Sequence, residues 1–268
     1  MDLDRCCYGH GLTRSAFIGR GAAVVGAAVA ASSALPAAAS ADPTDGNRQI
    51  PHPGQIPDTQ LAQAVAAFAA AAYPQFLADH CRRSYEVAVL IAATEGISVD
   101  LEVLYAAVQL HDLGLTPKFH SASERFEVAS ADAARSFVRD HGLSPARAED
   151  VWDAVVLHGT GGIAAFKSVE TSVAADAIGR DVTGEDLDEF PVDVVDQIMA
   201  TRPGFAQPFI DAIVTDLQDK PQVANSTWMM LIAEAHIPSF QPVSVETLAF
   251  SDPFEYAPSS MVGPQVGS

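Results

Sequence analysis

From about residue 58 to about 240 the chain repeats one pattern: apolar residues at the helical period, broken by Pro and Gly. No run alternates apolar and polar residues in the manner of a half-buried strand, and no internal repeat is visible. The spacing predicts a helix over 59–73 ended by Pro74, a second over 75–94 stopped by Gly96, and a third opened by Asp100 and closed at Gly114. A fourth covers 124–140, and Ser144-Pro145 caps a fifth that runs to His158. A sixth spans 168–178 and stops at Gly179, and further helices fill 191–201, 205–219 and 226–236. The expected fold is all-α, with 58–240 as one helical domain between an arm at 42–57 and an irregular tail at 241–268.

The polar residues on the buried stripes carry the chemistry. Leu101, Leu104, Val108 and His111 share one helix face, as do Phe76, His80, Ser84 and Val87, and Val151, Val155 and His158. Val169, Val173 and Asp176 aim a carboxylate inward in the same way. One inward histidine is usually a hydrogen-bonded core residue. Three of them plus a carboxylate are costly to bury unless a shared cation satisfies them, and imidazole nitrogen and carboxylate oxygen suit a divalent metal. A His-Asp pair such as His111-Asp112 means little alone in a chain with 8 His; its place on an apolar helix is what counts.

Charge narrows the partners. With 15 Lys+Arg against 34 Asp+Glu, the surface repels nucleic acid and anionic membranes. A small-molecule substrate fits better than a polyanion.

Taken together, His80-Cys81-Arg82-Arg83, Leu110-His111-Asp112-Leu113-Gly114, Arg125-Phe126-Glu127-Val128, Ala131-Asp132-Ala133-Ala134-Arg135, His141-Gly142, Val156-Leu157-His158 and Ala174-Ala175-Asp176-Ala177-Ile178-Gly179 resemble the HD-domain metalloenzymes, and within them the cyanamide hydratase branch. The resemblance covers roughly 58–240. It implies an HD-domain helical bundle with one divalent ion, Zn or Fe, held by His80, His111, Asp112 and Asp176. Asp181 competes with Asp176 for the closing position. His158 is implied as a base, a substrate-facing group or an extra ligand, with Glu127 and Thr160 at the substrate edge. The implied reaction is metal-dependent hydration or hydrolysis of a small molecule, with activated water attacking a nitrile-type carbon. Two departures stand out: Cys81 where the branch has Ser, and Gly159 where it more often has Thr or Ser. Two rival expectations stay open: an HD phosphohydrolase using Arg82, Arg83, Lys118, Arg125 or Lys167 to hold phosphate, and a non-catalytic module with a structural metal.

Residues 1–20 carry Arg5, Arg14 and Arg20, and residues 21–41 carry no charge and are mostly Ala, Gly and Ser, ending Ala39-Ser40-Ala41. This predicts a cleavable export signal over 1–41 and no stable membrane insertion afterwards, because the run is too weakly apolar for a spanning helix. Thr13-Arg14-Ser15-Ala16-Phe17-Ile18-Gly19-Arg20 resembles a twin-arginine signal with Ser15 at the place of the second Arg. Cleavage leaves Cys81 as the one thiol, expected to be a small buried residue, and rules out a disulfide within the exported chain.

Overall fold

A computed structural model describes residues 48–243. The expected export signal at 1–41, residues 42–47 of the arm, and the tail beyond Val243 lie outside the described residues. Ten α-helices dominate the described residues, in agreement with the all-α expectation. They are α1 (Gln60–Ala72), α2 (Gln75–Glu95), α3 (Leu101–Leu110), α4 (Phe126–Asp140), α5 (Pro145–Leu157), α6 (Gly161–Ala164), α7 (Val169–Thr183), α8 (Val192–Met199), α9 (Ala206–Leu217) and α10 (Met230–His236). Among the described residues no helix is long and apolar enough to cross a membrane.

Local chemistry explains most boundaries. The hydroxyl of Thr59 accepts from the Ala62 N–H to cap α1, the Asp100 carboxylate accepts from Glu102 and Val103 to cap α3, and the Ser144 hydroxyl caps α5 with Pro145 in its first turn. α2 ends where Gly96 turns left-handed at φ 66°. The apolar faces of α2, α3, α5 and α7 pack on one another, and α4 lies along α5. The shared core includes Val87, Leu104, Val108, Leu110, Val151, Val155, Val173 and Ala177, all buried.

Two expectations need correcting. The arm is tied down over its described part: Arg48–Gln49 (β1) pairs antiparallel with Val99–Asp100 (β2), Arg48 reaches Glu170 at 3.1 Å, and the Gln55 carbonyl accepts from Tyr85 Oη at 2.8 Å. A two-residue bridge is too short to show alternation in sequence. The second correction concerns the sixth predicted helix, α7. It does not stop at Gly179 but continues to Thr183, where Gly184 at φ 78° closes it with its N–H on the Arg180 carbonyl. Glycine inside a helix costs only about 1 kcal/mol, and here the buried side chains of Ile178, Arg180 and Asp181 hold the extra turn.

Candidate metal centre

Two helices bring the cluster together. α2 carries His80 on its inner face, and His111 and Asp112 follow the last turn of α3. All three side chains are buried. His80 Nε2 lies 3.1 Å from His111 Nε2 and 3.6 Å from Asp112 Oδ2. His111 Nε2 lies 3.3 Å from the same oxygen.

The other ring nitrogens decide what these three atoms can be. His111 Nδ1 donates to the Val108 carbonyl at 2.8 Å, and His80 Nδ1 donates to Asp181 Oδ2 at 2.6 Å. In neutral rings both Nε2 atoms therefore present bare lone pairs. Asp112 Oδ2 is buried and accepts no hydrogen bond. Three acceptors facing one another without a proton between them call for a cation. Tetrahedral ligands about 2.1 Å from an ion stand about 3.4 Å apart, close to the spacing here. His80, His111 and Asp112 thus form a group that could hold a metal ion.

Electrostatics describes the centre before any ion arrives. Burial, the largest single influence, lowers the His111 pKa, but Asp112 and Cys81 together outweigh it and hold the ring well above its ordinary value. Burial raises the Asp112 carboxyl, and the facing His111 overcomes that to bring it down to about 2. A proton on His111 thus stands where a metal would.

His158, one residue beyond α5, faces this centre with its ring 4.8 Å from that of His111. Its Nδ1 donates to the Val155 carbonyl at 2.6 Å, so its Nε2 is bare too. Burial and the charge of His111 depress its pKa to about 4. Aromatic rings wall the centre: Phe205 stacks on His80 at 5.0 Å, Phe209 lies 5.8 Å from His80, and Phe126 lies 5.7 Å from His158. Trp228 is parallel to Phe209 at 6.4 Å and perpendicular to Phe126 at 6.3 Å.

The remaining expected site residues divide. Glu127 is buried, not on the surface; it pairs with Arg125 and accepts from Trp228 Nε1 at 3.3 Å. Thr160 spends its hydroxyl on the Leu157 carbonyl at 2.8 Å. Asp176 is not brought to the cluster: its side chain is 37% exposed and bonds Arg180 Nε at 3.1 Å. Asp181 is fully buried and touches His80. Because α7 runs on through Gly179, Asp181 sits five residues further along and about 140° around the helix from Asp176.

Sequence reasoning did not anticipate the site roles of Arg83, Phe205, Phe209 and Trp228. Arg83 had a legible signal, a charge three residues after His80 on an otherwise apolar stripe. Phe205 and Phe209 show an i, i+4 pair, but nothing in their local text points to helices far earlier in the chain.

Residues 77–200 match the HD domain family. The match begins inside α2, ends just past α8 and takes in the histidine cluster; proteins that carry this domain are generally metal-dependent hydrolases. No curated protein matches the chain.

Proposed function

We propose that this HD region holds one divalent ion on His80, His111 and Asp112 and uses it to hydrate or hydrolyse a small uncharged molecule, in the manner of the cyanamide hydratases the sequence resembles. The observation that carries the reading is the convergence of three acceptor atoms in a buried cluster walled by aromatic rings. Bound there, the ion supplies Lewis acidity and lowers the pKa of a coordinated water to about 7.

The chain's own residues do the rest. His158 is held neutral, so its Nε2 accepts the proton released by attacking water and returns it to the developing nitrogen of a nitrile-type substrate. Phe126, Phe205, Phe209 and Trp228 wall the cluster and shield it from bulk water, a setting that suits a small, poorly hydrated substrate.

The phosphohydrolase alternative is disfavoured by the cations. Arg83 is bidentate to Asp181, Arg125 pairs with Glu127, Arg82 with Glu86 at 2.7 Å and Lys167 with Asp153 at 2.7 Å. Lys118 lies over the rings of Phe68 and Phe119. Each would have to leave a partner to hold phosphate.

Metal analysis of the purified protein followed by assays with cyanamide, small nitriles, isonitriles and nucleotides tests the reading. One zinc or iron per chain with turnover of a nitrile-type compound supports it; turnover of nucleotides alone replaces it with the phosphohydrolase. Export stays part of the proposal on the strength of residues 1–41, and a mature N-terminus near Asp42 in the exported fraction is the result expected.

A further inference from the structure

We propose that Asp181 is a positioning residue: it fixes the ring of His80 from behind and is not itself a ligand of the ion. The inference rests on the metal reading above and concerns how the centre is built.

Three of the four lone pairs of the Asp181 carboxylate are taken, including both on the oxygen nearest His80. Its Oδ1 accepts from Arg83 Nε at 2.7 Å; its Oδ2 accepts from Arg83 Nη2 at 2.8 Å and from His80 Nδ1 at 2.6 Å. All three side chains are buried, so the ion pair is screened by little water. The two nitrogens of an imidazole point to opposite sides of the ring, so a group bonded to Nδ1 cannot share an ion with Nε2. The ring of His80 therefore stands between Asp181 and the point where His80, His111 and Asp112 converge.

Arg83 makes the arrangement rigid. Its Nη1 donates to the Thr201 carbonyl and hydroxyl, both at 3.3 Å, and its guanidinium lies 5.1 Å over the Phe205 ring that stacks on His80. Arg202 Nε donates to the Asp181 carbonyl at 2.9 Å. Ser84 Oγ also lies 3.4 Å from His80 Nδ1. The Asp181 carboxylate holds the proton on Nδ1, keeps Nε2 bare and raises its basicity toward a metal. Arg83 offsets the Asp181 charge, so the ligand set carries one carboxylate, that of Asp112.

The test compares the full chain with its Asp181→Asn variant, each loaded with cobalt(II) or zinc(II). The variant should keep one ion per chain and the same cobalt absorption bands, because the donor set is unchanged, while its zinc affinity falls roughly 10–100-fold. Nitrogen NMR of the metal-free proteins adds a readout that a merely structural role leaves unmoved. His80 should carry its proton on Nδ1 in the unmutated chain and lose that preference in Asp181→Asn. Altered cobalt bands, or metal loss as complete as in His111→Ala, would overturn the proposal and make Asp181 a ligand. Should Asp181→Asn fail to fold, the zinc-loaded unmutated chain decides: a slowly exchanging Nδ1–H resonance of His80 is expected, and its absence overturns the proposal. Failure of the unmutated chain to take up zinc or cobalt instead overturns the metal reading, and this proposal with it.

Discussion

His80 Nε2 and His111 Nε2 face each other at 3.1 Å across a gap that neither fills with a proton while both rings are neutral. Two lone pairs at that distance repel, and Asp112 Oδ2 adds a third acceptor. With both rings neutral this cost would stand in the core, and a proton or a cation relieves it.

Removing a ligand should therefore behave differently from removing the base. His111→Ala and Asp112→Ala should each strip the ion and abolish turnover together. His158→Ala should keep most of the metal while kcat falls roughly 10²–10⁴-fold, the usual worth of general acid–base catalysis. Metal content per chain measured beside kcat decides this. Full occupancy in His111→Ala would sink the assignment, and complete metal loss in His158→Ala would make that residue a ligand.

Zinc uptake should release a proton, because Asp112 and Cys81 together hold the His111 pKa well above its ordinary value in the metal-free state, against the opposing effect of burial. Apparent affinity should rise about tenfold per pH unit below the His111 pKa. Calorimetry in buffers of different ionisation enthalpy counts the protons, and uptake without release would refute the account. The same raised pKa stabilises the metal-free fold fully below pH 6.5 and is lost as pH rises through the folded value.

His158 has the opposite sign. Its folded pKa, about 4, lies below its ordinary 6.5, so its neutral form contributes stability that is present above 6.5 and lost as pH falls toward 4. The loss should be on the order of 3 kcal/mol. Urea unfolding of the metal-free protein at pH 7 and pH 4 should show it, and His158→Gln should remove most of that difference.

Gly114 tests the backbone that supports the His-Asp turn. A Cβ there would collide with the carbonyl of Phe126, while the Gly114 N–H donates to Ser130 Oγ at 2.8 Å. Backbone of a packed helix yields little, so Gly114→Ala should destabilise by about 1–3 kcal/mol. Chemical denaturation checks it; an unchanged midpoint would show that the two segments separate easily.

Gly159 lets Trp228 approach Glu127. A Cβ at Gly159 would stand 2.5 Å from the indole nitrogen, so Gly159→Ala should break the 3.3 Å bond from Trp228 Nε1 to Glu127. In a Trp152→Phe background Trp228 is the one tryptophan left, and its emission should shift while metal content stays constant.

The helical text, the caps at Thr59, Asp100 and Ser144, and the inward faces of His80, His111 and His158 were legible because each depends on neighbours within one turn. Periodicity alone also put Asp176 on an inner face, since Val169 and Val173 precede it at helical spacing. The chain resolved that choice through contacts that no local window contains. Gly179 was permitted to stay helical by the packing of Ile178, Arg180 and Asp181, and Arg83, 98 residues earlier, claimed Asp181 as its partner.

The sequence by itself thus determined the helices, their punctuation and which residues had to be buried polar groups, because helical period and capping act over three or four residues. Only the tertiary structure decided which nitrogens stay bare, which carboxylate stands behind His80 and which of the rings Phe205, Phe209 and Trp228 wall the cluster. Those outcomes are set by electrostatic and packing contacts between segments a hundred or more residues apart in sequence, and such contacts exist only once the core has formed.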